Sequence, residues 1–331
     1  MENAIIYLLI SAVSFPFLAV YNSCAALFRS MGNSAITLKV SLLMNVINIV
    51  GNAICVFGLH MGTAGVALPS LVSRAVAAFV LYVLLKNPDY TIHLLQGRFH
   101  FQADIVKKIL QIGIPSGIEN GIFQLGRVLV VSIIAGFGTV QIAANGVANS
   151  LDSMGCIAGQ AMSLAMIAVI GRCVGAQDEK QVRYYTWHLL GLTYLFTAGI
   201  NIVILTLLNP ILALYCLGPE TTKLAWQLVM IHNGMAILLW PLSFVLPNML
   251  RACNDVKYTM VIAIFSMFTF RIGFSYILGV NLKMGALGVW IAMVMDWVFR
   301  VICFVLRYFR GTWKKYSFPG LVRKAESQST R

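Results

Sequence analysis

The chain has 331 residues, of which 59% are apolar and only 11% are charged, and its net charge is +13. Soluble globular domains carry about 25% charged residues, so this composition and a mean hydropathy of +0.83 exclude that class. Uncharged or nearly uncharged segments recur, each about as long as the 20-residue helix that spans a bilayer core. Nine spans are predicted in chain order: 4–28, 40–59, 61–85, 109–138, 141–171, 184–208, 224–250, 258–282 and 284–306.

These spans do not alternate apolar and polar residues as barrel strands would, so the predicted fold class is all-α, a polytopic membrane protein. Most lysines and arginines follow the odd-numbered spans, and the opposite connections carry only Lys223 and Lys283. Basic residues stay on the cytoplasmic side, which predicts an external N-terminus and a cytoplasmic C-terminus in the plasma (inner) membrane. The net positive charge is therefore explained by the membrane topology and by attraction of the basic residues to anionic lipid headgroups, and no nucleic-acid partner is expected.

Reactive side chains are scattered along the chain. The seven cysteines have no C-x-x-C spacing, and the five histidines form no metal-binding pattern. We therefore expect no enzyme activity, no cofactor and no obligate protein partner.

The phrase "MGTAGVA" at 61–67 returns as "MGALGVW" at 284–290. Upstream of it, "LFRSMGN" at 27–33 returns as "MLRACND" at 249–255, with Arg29 matching Arg251 at an offset of 222 and Gly62 matching Gly285 at 223. The second copy therefore has one more residue than the first between these two blocks. Because the copies lie six spans apart in one orientation, we expect a parallel 6+6 repeat, of which three N-terminal helices are absent from this chain.

Polar residues within the fourth and fifth spans mark a candidate site, because charges in hydrocarbon normally face an interior or a water-filled cavity. The fourth span places three of its polar residues on one narrow face, with the acidic residue about 80° away, and the fifth carries one polar stripe. The candidate substrate- and ion-binding residues are Glu119, Asn120, Gln124, Arg127, Asn145, Asn149 and Asp152.

Structural roles compete with this interpretation. Glu119 and Arg127 would also suit a packed ion pair, and Asn145 and Asn149 would suit hydrogen bonds between helices. Asp296 and Arg300, spaced i, i+4, favour a structural pair, and Arg271 is interpreted as snorkelling or bonding carbonyls.

Together with the two repeated blocks, "IGIPSGIEN" at 112–120 and "VIGRCVGAQDEKQVR" at 169–183 resemble the multidrug and toxic compound extrusion (MATE) family. The resemblance implies two six-helix lobes that rock around a central cleft. It also implies Na⁺- or H⁺-driven export of a small-molecule substrate, an organic cation or amphipathic drug. Family members often carry a carboxylate where Phe123 and Gln124 stand here and an Asp near Trp240, so the coupling ion stays open.

On this basis the predicted domains are a partial N-lobe (1–86), a cytoplasmic linker (87–108), a complete C-lobe (109–316) and a basic cytoplasmic tail (317–331). Two alternatives remain. A lipid-linked saccharide flippase would have a wide basic cleft, for which Arg127 is the strong candidate, so drug export is favoured. The other alternative is a truncated remnant that does not transport.

Overall fold

The computed structural model describes residues 2–94 and 102–318, and it says nothing of the side chains of residues 2 and 3. The chain divides into two compact units, an N-terminal unit (Met1–Phe101) and a C-terminal unit (Gln102–Arg331). Among the described residues, nine helical segments are long and apolar enough to cross a membrane, and they overlap all nine predicted spans. The predicted all-α membrane fold is confirmed.

The N-terminal unit consists of three spans: α1 (Glu2–Ser30), α2 (Ser34–Ala53), which continues into the π-helical turn π1 (Ile54–Gly58), and α3 (Ala64–Leu84). Its small core contains Ala25, Phe28 and Leu81, all fully buried. Most of the apolar surface of α1 and α2 is exposed, as expected of helices that contact lipid.

The first half of the C-terminal unit consists of four long helices and one short one. They are α4 (Ala103–Ala135), α5 (Thr139–Gly155), α6 (Ile157–Gly175), α7 (Glu179–Thr206) and α8 (Leu208–Leu214). Helix α4 begins at Ala103, inside the segment predicted as linker, because its first turns carry Asp104, Lys107 and Lys108 and a hydropathy pattern stops before such residues. Residues 95–101 of that linker, and 319–331 of the predicted tail, lie outside the described residues.

The second half begins with α9 (Pro219–Trp240), which passes through π2 (Pro241–Val245) into α10 (Leu246–Ala252). The next span joins α11 (Val256–Ser266), π3 (Met267–Phe274) and π4 (Ile277–Asn281). Helix α12 (Gly285–Phe309) and the single turn α13 (Lys314–Ser317) follow. Pro241 opens π2 because its ring has no N–H to donate to the preceding helical turn.

The interior of the C-terminal unit forms around α9 and α12, which are half-buried along their most apolar stretches. One cluster gathers Met166, Ile170, Met249 and Phe304. A second contains Leu228, Val229 and Trp290. Both clusters are contiguous cores, so the polar groups between these helices lie in a packed interior.

Candidate functional site

Glu119, on α4, is buried and bonds to an arginine from a distant part of the sequence. Its Oε1 accepts from Nη2 of Arg251, on α10, whose Nη1 donates to Oδ1 of Asn248 at 2.5 Å. The second oxygen, Oε2, is buried without a hydrogen-bond partner among the described residues. The suggested pairing of Glu119 with Arg127 is wrong, because eight residues separate them by about 12 Å along the helix axis.

The other candidate residues of α4 share an exposed face. Asn120 is exposed and its Nδ2 donates to the Ser116 carbonyl of its own helix at 2.8 Å. Gln124 and Arg127 are exposed as well. Their role in binding stays a prediction.

The polar stripe of α5 points into the C-terminal unit. Asn145 is buried, and its Oδ1 accepts from the indole Nε1 of Trp290, on α12, at 3.0 Å. Asn149 donates instead to the Asn145 carbonyl at 2.8 Å, so only the first asparagine makes the interhelical bond that was the competing interpretation.

Asp152, the third residue of the stripe, faces a histidine that sequence reasoning missed. Its Oδ1 lies 3.1 Å from Nδ1 of His232, on α9, and accepts from the Cys156 thiol at 3.4 Å. His232 is 2% exposed, with its ring 4.5 Å from that of Trp290 and 4.3 Å from that of Trp297. The signal was the adjacent pair His232–Asn233 in the middle of a mostly apolar span, which marks a polar site inside the membrane.

The predicted fifth span is not one continuous helix, because it is interrupted at Cys156 between α5 and α6. Two buried amides explain this interruption: Asn233 donates to Asn201 at 2.9 Å, and Asn201 donates to the Gly155 carbonyl at 3.2 Å. A Cβ at Gly155 would lie 2.4 Å from Oδ1 of Asn201, so only glycine admits the amides here.

A second buried ionic cluster surrounds Asp296, on α12. Asp296 is paired with Arg300 at 3.0 Å, as the i, i+4 spacing predicted, and it also accepts from the Ser266 hydroxyl. Arg271, on π3, lies 3.8 Å from the second carboxylate oxygen and 5.0 Å from the ring centroid of Phe123. The interpretation of Arg271 as snorkelling is therefore wrong, because the π turn directs it into the bundle toward Asp296.

The C-terminal unit contains a cavity of about 380 Å³, which some of these residues line. Of the predicted site residues, Glu119 and Asn120 line it, whereas Gln124, Arg127, Asn145, Asn149 and Asp152 do not. Arg251 and Arg300 also line it, so Arg127 is not the main basic residue of this region. Across residues 2–94 and 102–318 no three His, Cys, Asp or Glu side chains come together to hold a metal ion.

Comparisons with known proteins agree with this architecture. The MatE family model matches residues 115–277. An uncharacterized transporter of Bacillus subtilis, YisQ, is 26% identical over 83% of the chain and 61% of its own length. A probable multidrug resistance protein of Thermotoga maritima, NorM, is 25% identical over 93% of the chain and 66% of its own length. The chain thus spans less than two thirds of the length of these relatives.

Solved structures share the fold. A MATE transporter in complex with MaL6 superimposes with a TM-score of 0.86 at 19% identity, over 94% of the chain and 71% of that protein. An outward-facing multidrug resistance MATE transporter gives 0.81 at 20% identity, over 89% and 66%. A transporter of Pyrococcus furiosus, described as having a binding pocket of reversed polarity, gives 0.77 at 17% identity, over 95% and 76%. The MatE family model thus matches the central part of the chain, which is similar in sequence to probable multidrug resistance proteins and shares the fold of MATE transporters.

Proposed function

We propose that the protein containing this chain is a secondary transporter of the plasma membrane that exports amphipathic small molecules in exchange for H⁺ or Na⁺. The relatives named multidrug resistance proteins support export of such compounds. The nine spans support residence in the membrane, and the basic residues support an external N-terminus.

The observation that carries the proposal is the pair Asp152–His232, which joins α5 to α9 at 3.1 Å. An imidazole is the side chain whose ordinary titration falls between pH 5 and 8. Protonated, His232 forms an ion pair with Asp152, and neutral, it keeps at most a hydrogen bond. A proton therefore binds one arrangement of α5 and α9 more tightly than another, which is the differential binding that coupling requires.

Side chains from α5, α12 and π3 surround the pair Asp152–His232. On α5 the thiol of Cys156 bonds to Asp152, and the indoles of Trp290 and Trp297 on α12 flank the imidazole. Beyond His232, the charge of Arg271, on π3, also acts on Asp152 from a greater distance, and Arg271 is itself held by Asp296. In this proposal the pair Asp152–His232 takes up the proton, and Arg271 remains bound to Asp296.

Glu119 is the competing candidate for coupling. A carboxylate among apolar helices can also exchange a proton or Na⁺ between two arrangements of the helices. In this structure Arg251 neutralises Glu119, so it would have to exchange partners before it binds an ion.

The test is transport by the gene product, including any in-frame upstream sequence, reconstituted in liposomes. Efflux of ethidium and of carboxyfluorescein is driven by an imposed pH gradient or by a Na⁺ gradient. His232→Gln and Asp152→Asn should abolish pH-driven efflux of whichever dye is transported. His188→Gln, which changes an exposed histidine of α7, should leave it intact.

Full pH-driven efflux by His232→Gln would overturn the assignment of the proton site. If Glu119→Gln alone abolishes efflux, the coupling site is Glu119. If no gradient drives efflux of any dye by the unaltered protein, the transport proposal itself fails.

A further inference from the structure

The cavity of the C-terminal unit has an aromatic wall. Trp240 and Phe244 stack at 5.1 Å with their planes 28° apart, and Phe123 meets Phe244 edge-on at 6.3 Å. Trp240 occupies the space left by Gly159, where a Cβ would lie 2.0 Å from the indole. The wall thus offers flat apolar surface to a ring-bearing molecule, in a cavity of the size that ligand sites have.

The charged residues at the cavity are not equivalent. Arg251 takes up the charge of Glu119, so that pair contributes little net charge. Arg300 is 3% exposed, with Nε 3.0 Å from Asp296 and Nη2 donating to the Ala263 carbonyl at 3.4 Å. Its Nη1 makes no hydrogen bond to any described residue and is not among the buried unpaired atoms. Arg300 therefore keeps its Nη1 amino group, which carries two N–H donors, for a ligand.

The cluster behind Arg300 carries a surplus of positive charge. Within 4 Å, Arg271 and Arg300 share the single carboxylate of Asp296, and Asp152 acts on Arg271 only from a greater distance. Together with the neutral pair Glu119–Arg251, the ion-paired groups in and behind the cavity comprise three guanidinium groups and two carboxylates. A guanidinium recognises carboxylate, sulfonate or phosphate groups through directional, charge-assisted hydrogen bonds.

We infer that this cavity binds amphipathic organic anions, with an aromatic body against Trp240 and Phe244 and an acidic group on Arg300. The inference rests on the proposed function, because it names the substrate class of a site in the same unit. It differs from the organic cations expected from the sequence. Glu119 is the only carboxylate among the described residues that line the cavity, and it could meet a cation only after it had left Arg251.

The experiment uses two probes of matched shape and opposite charge, 2-naphthoate and 2-naphthylmethylammonium. Their binding to the purified 331-residue chain in neutral detergent is measured by calorimetry, which requires no transport. We expect naphthoate to bind at least about tenfold more tightly than the cation, a difference of about 1.4 kcal/mol.

Three variants and a control locate the binding. Arg300→Gln should lose naphthoate binding by about tenfold or more, whereas Arg310→Gln, at the exposed end of α12, should not change it. Glu119→Gln should strengthen naphthoate binding because it frees Arg251. Arg251→Gln should weaken it and admit the cation because it frees Glu119. Gel filtration and thermal unfolding confirm that each variant is folded, and the Glu119 and Arg251 variants decide the matter if Arg300→Gln does not fold.

To decide whether the acidic group belongs to an anionic lipid or to a small organic anion, the titration is repeated in nanodiscs. If phosphatidylglycerol competes with naphthoate and phosphatidylcholine does not, the occupant is an anionic lipid. If neither competes, it is a small organic anion. Equal binding of both probes, tighter binding of the cation, or binding unchanged in all three variants would overturn the inference. If the unaltered protein binds naphthoate but shows no transport in liposomes, only the proposed function is contradicted.

Discussion

The two copies of the internal repeat, α1–α3 and α9–α12, have the same backbone and different chemistry. The π turns π1 (Ile54–Gly58) and π4 (Ile277–Asn281) lie 223 residues apart, residue for residue. The turns that follow them place His60 and Lys283 at φ of 51° and 56°, and Gly62 and Gly285 at 58° and 60°. The repeat predicted from sequence is thus present in the backbone itself.

The inserted residue of the second copy also has a structural counterpart. The offset changes from 222 at Asn254, which shares positive φ with Gly32, to 223 at Ile277. Between these points the second copy contains π3, whereas the first copy is α-helical over Ser34–Ala53. A π turn accommodates one extra residue within a helix, and here it positions Arg271 beside Asp296.

The copies differ most at matched buried positions. Ser73 and Ala77 of α3 correspond to Asp296 and Arg300 of α12, and all four are buried. Apart from Glu2 at the start of α1, the first copy has no carboxylate within its three spans, and its Arg74 donates to Ser14 at 2.5 Å. The comparison teaches that one helical scaffold supports either an interior without ion pairs or a buried ion-paired cluster, depending on a few side chains.

The largest expected effect comes from removing the carboxylate of the second copy. Asp296→Asn leaves Arg271 and Arg300 buried side by side without their counter-charge, which should cost about 3–5 kcal/mol. The matched change Ser73→Ala removes a single hydroxyl and should cost about 1 kcal/mol or less. Unfolding in SDS measures both. Equal losses would mean that the ionic cluster does not distinguish the copies.

A smaller effect is expected at two matched glycines, Gly65 and Gly288, against which the backbone of the preceding span packs closely. A Cβ at Gly288 would lie 2.7 Å from the backbone carbon of Leu278, whereas at Gly65 it would lie 3.2 Å from that of Cys55. Gly288→Ala should therefore cost about 3 kcal/mol and Gly65→Ala about 1 kcal/mol. Thermal unfolding of the two variants checks the order, and a greater loss for Gly65→Ala would show that the packing of the copies differs from this structure.

The smallest effect should be the same in both copies. His60 and Lys283 occupy the left-handed region, where a side chain is strained and glycine is not. Replacement of either by glycine should raise stability by about 0.5–1 kcal/mol. A gain in one copy and a loss in the other would indicate that the two turns have different conformations in the membrane.

Sequence patterns predicted the spans because each apolar segment meets the length that the bilayer requires, independently of its neighbours. The pair Asp296–Arg300 was predictable because one helical turn joins its members. The partners of Glu119 and Asp152 were not, because Arg251 and His232 lie 132 and 80 residues further along the chain, and only helix packing brings them close. The break at Cys156 was likewise hidden, since it depends on Asn201 and Asn233 packing against Gly155.

The most direct test of the proton site is the pH dependence of tryptophan fluorescence. Trp290 and Trp297 flank His232, and a protonated imidazole quenches adjacent indoles. The account predicts that fluorescence of the purified chain rises when the pH is raised, that His232→Gln abolishes this rise, and that His188→Gln preserves it. A rise that persists in His232→Gln, or that disappears in His188→Gln, would contradict the assignment of Asp152–His232 as the site that binds the proton.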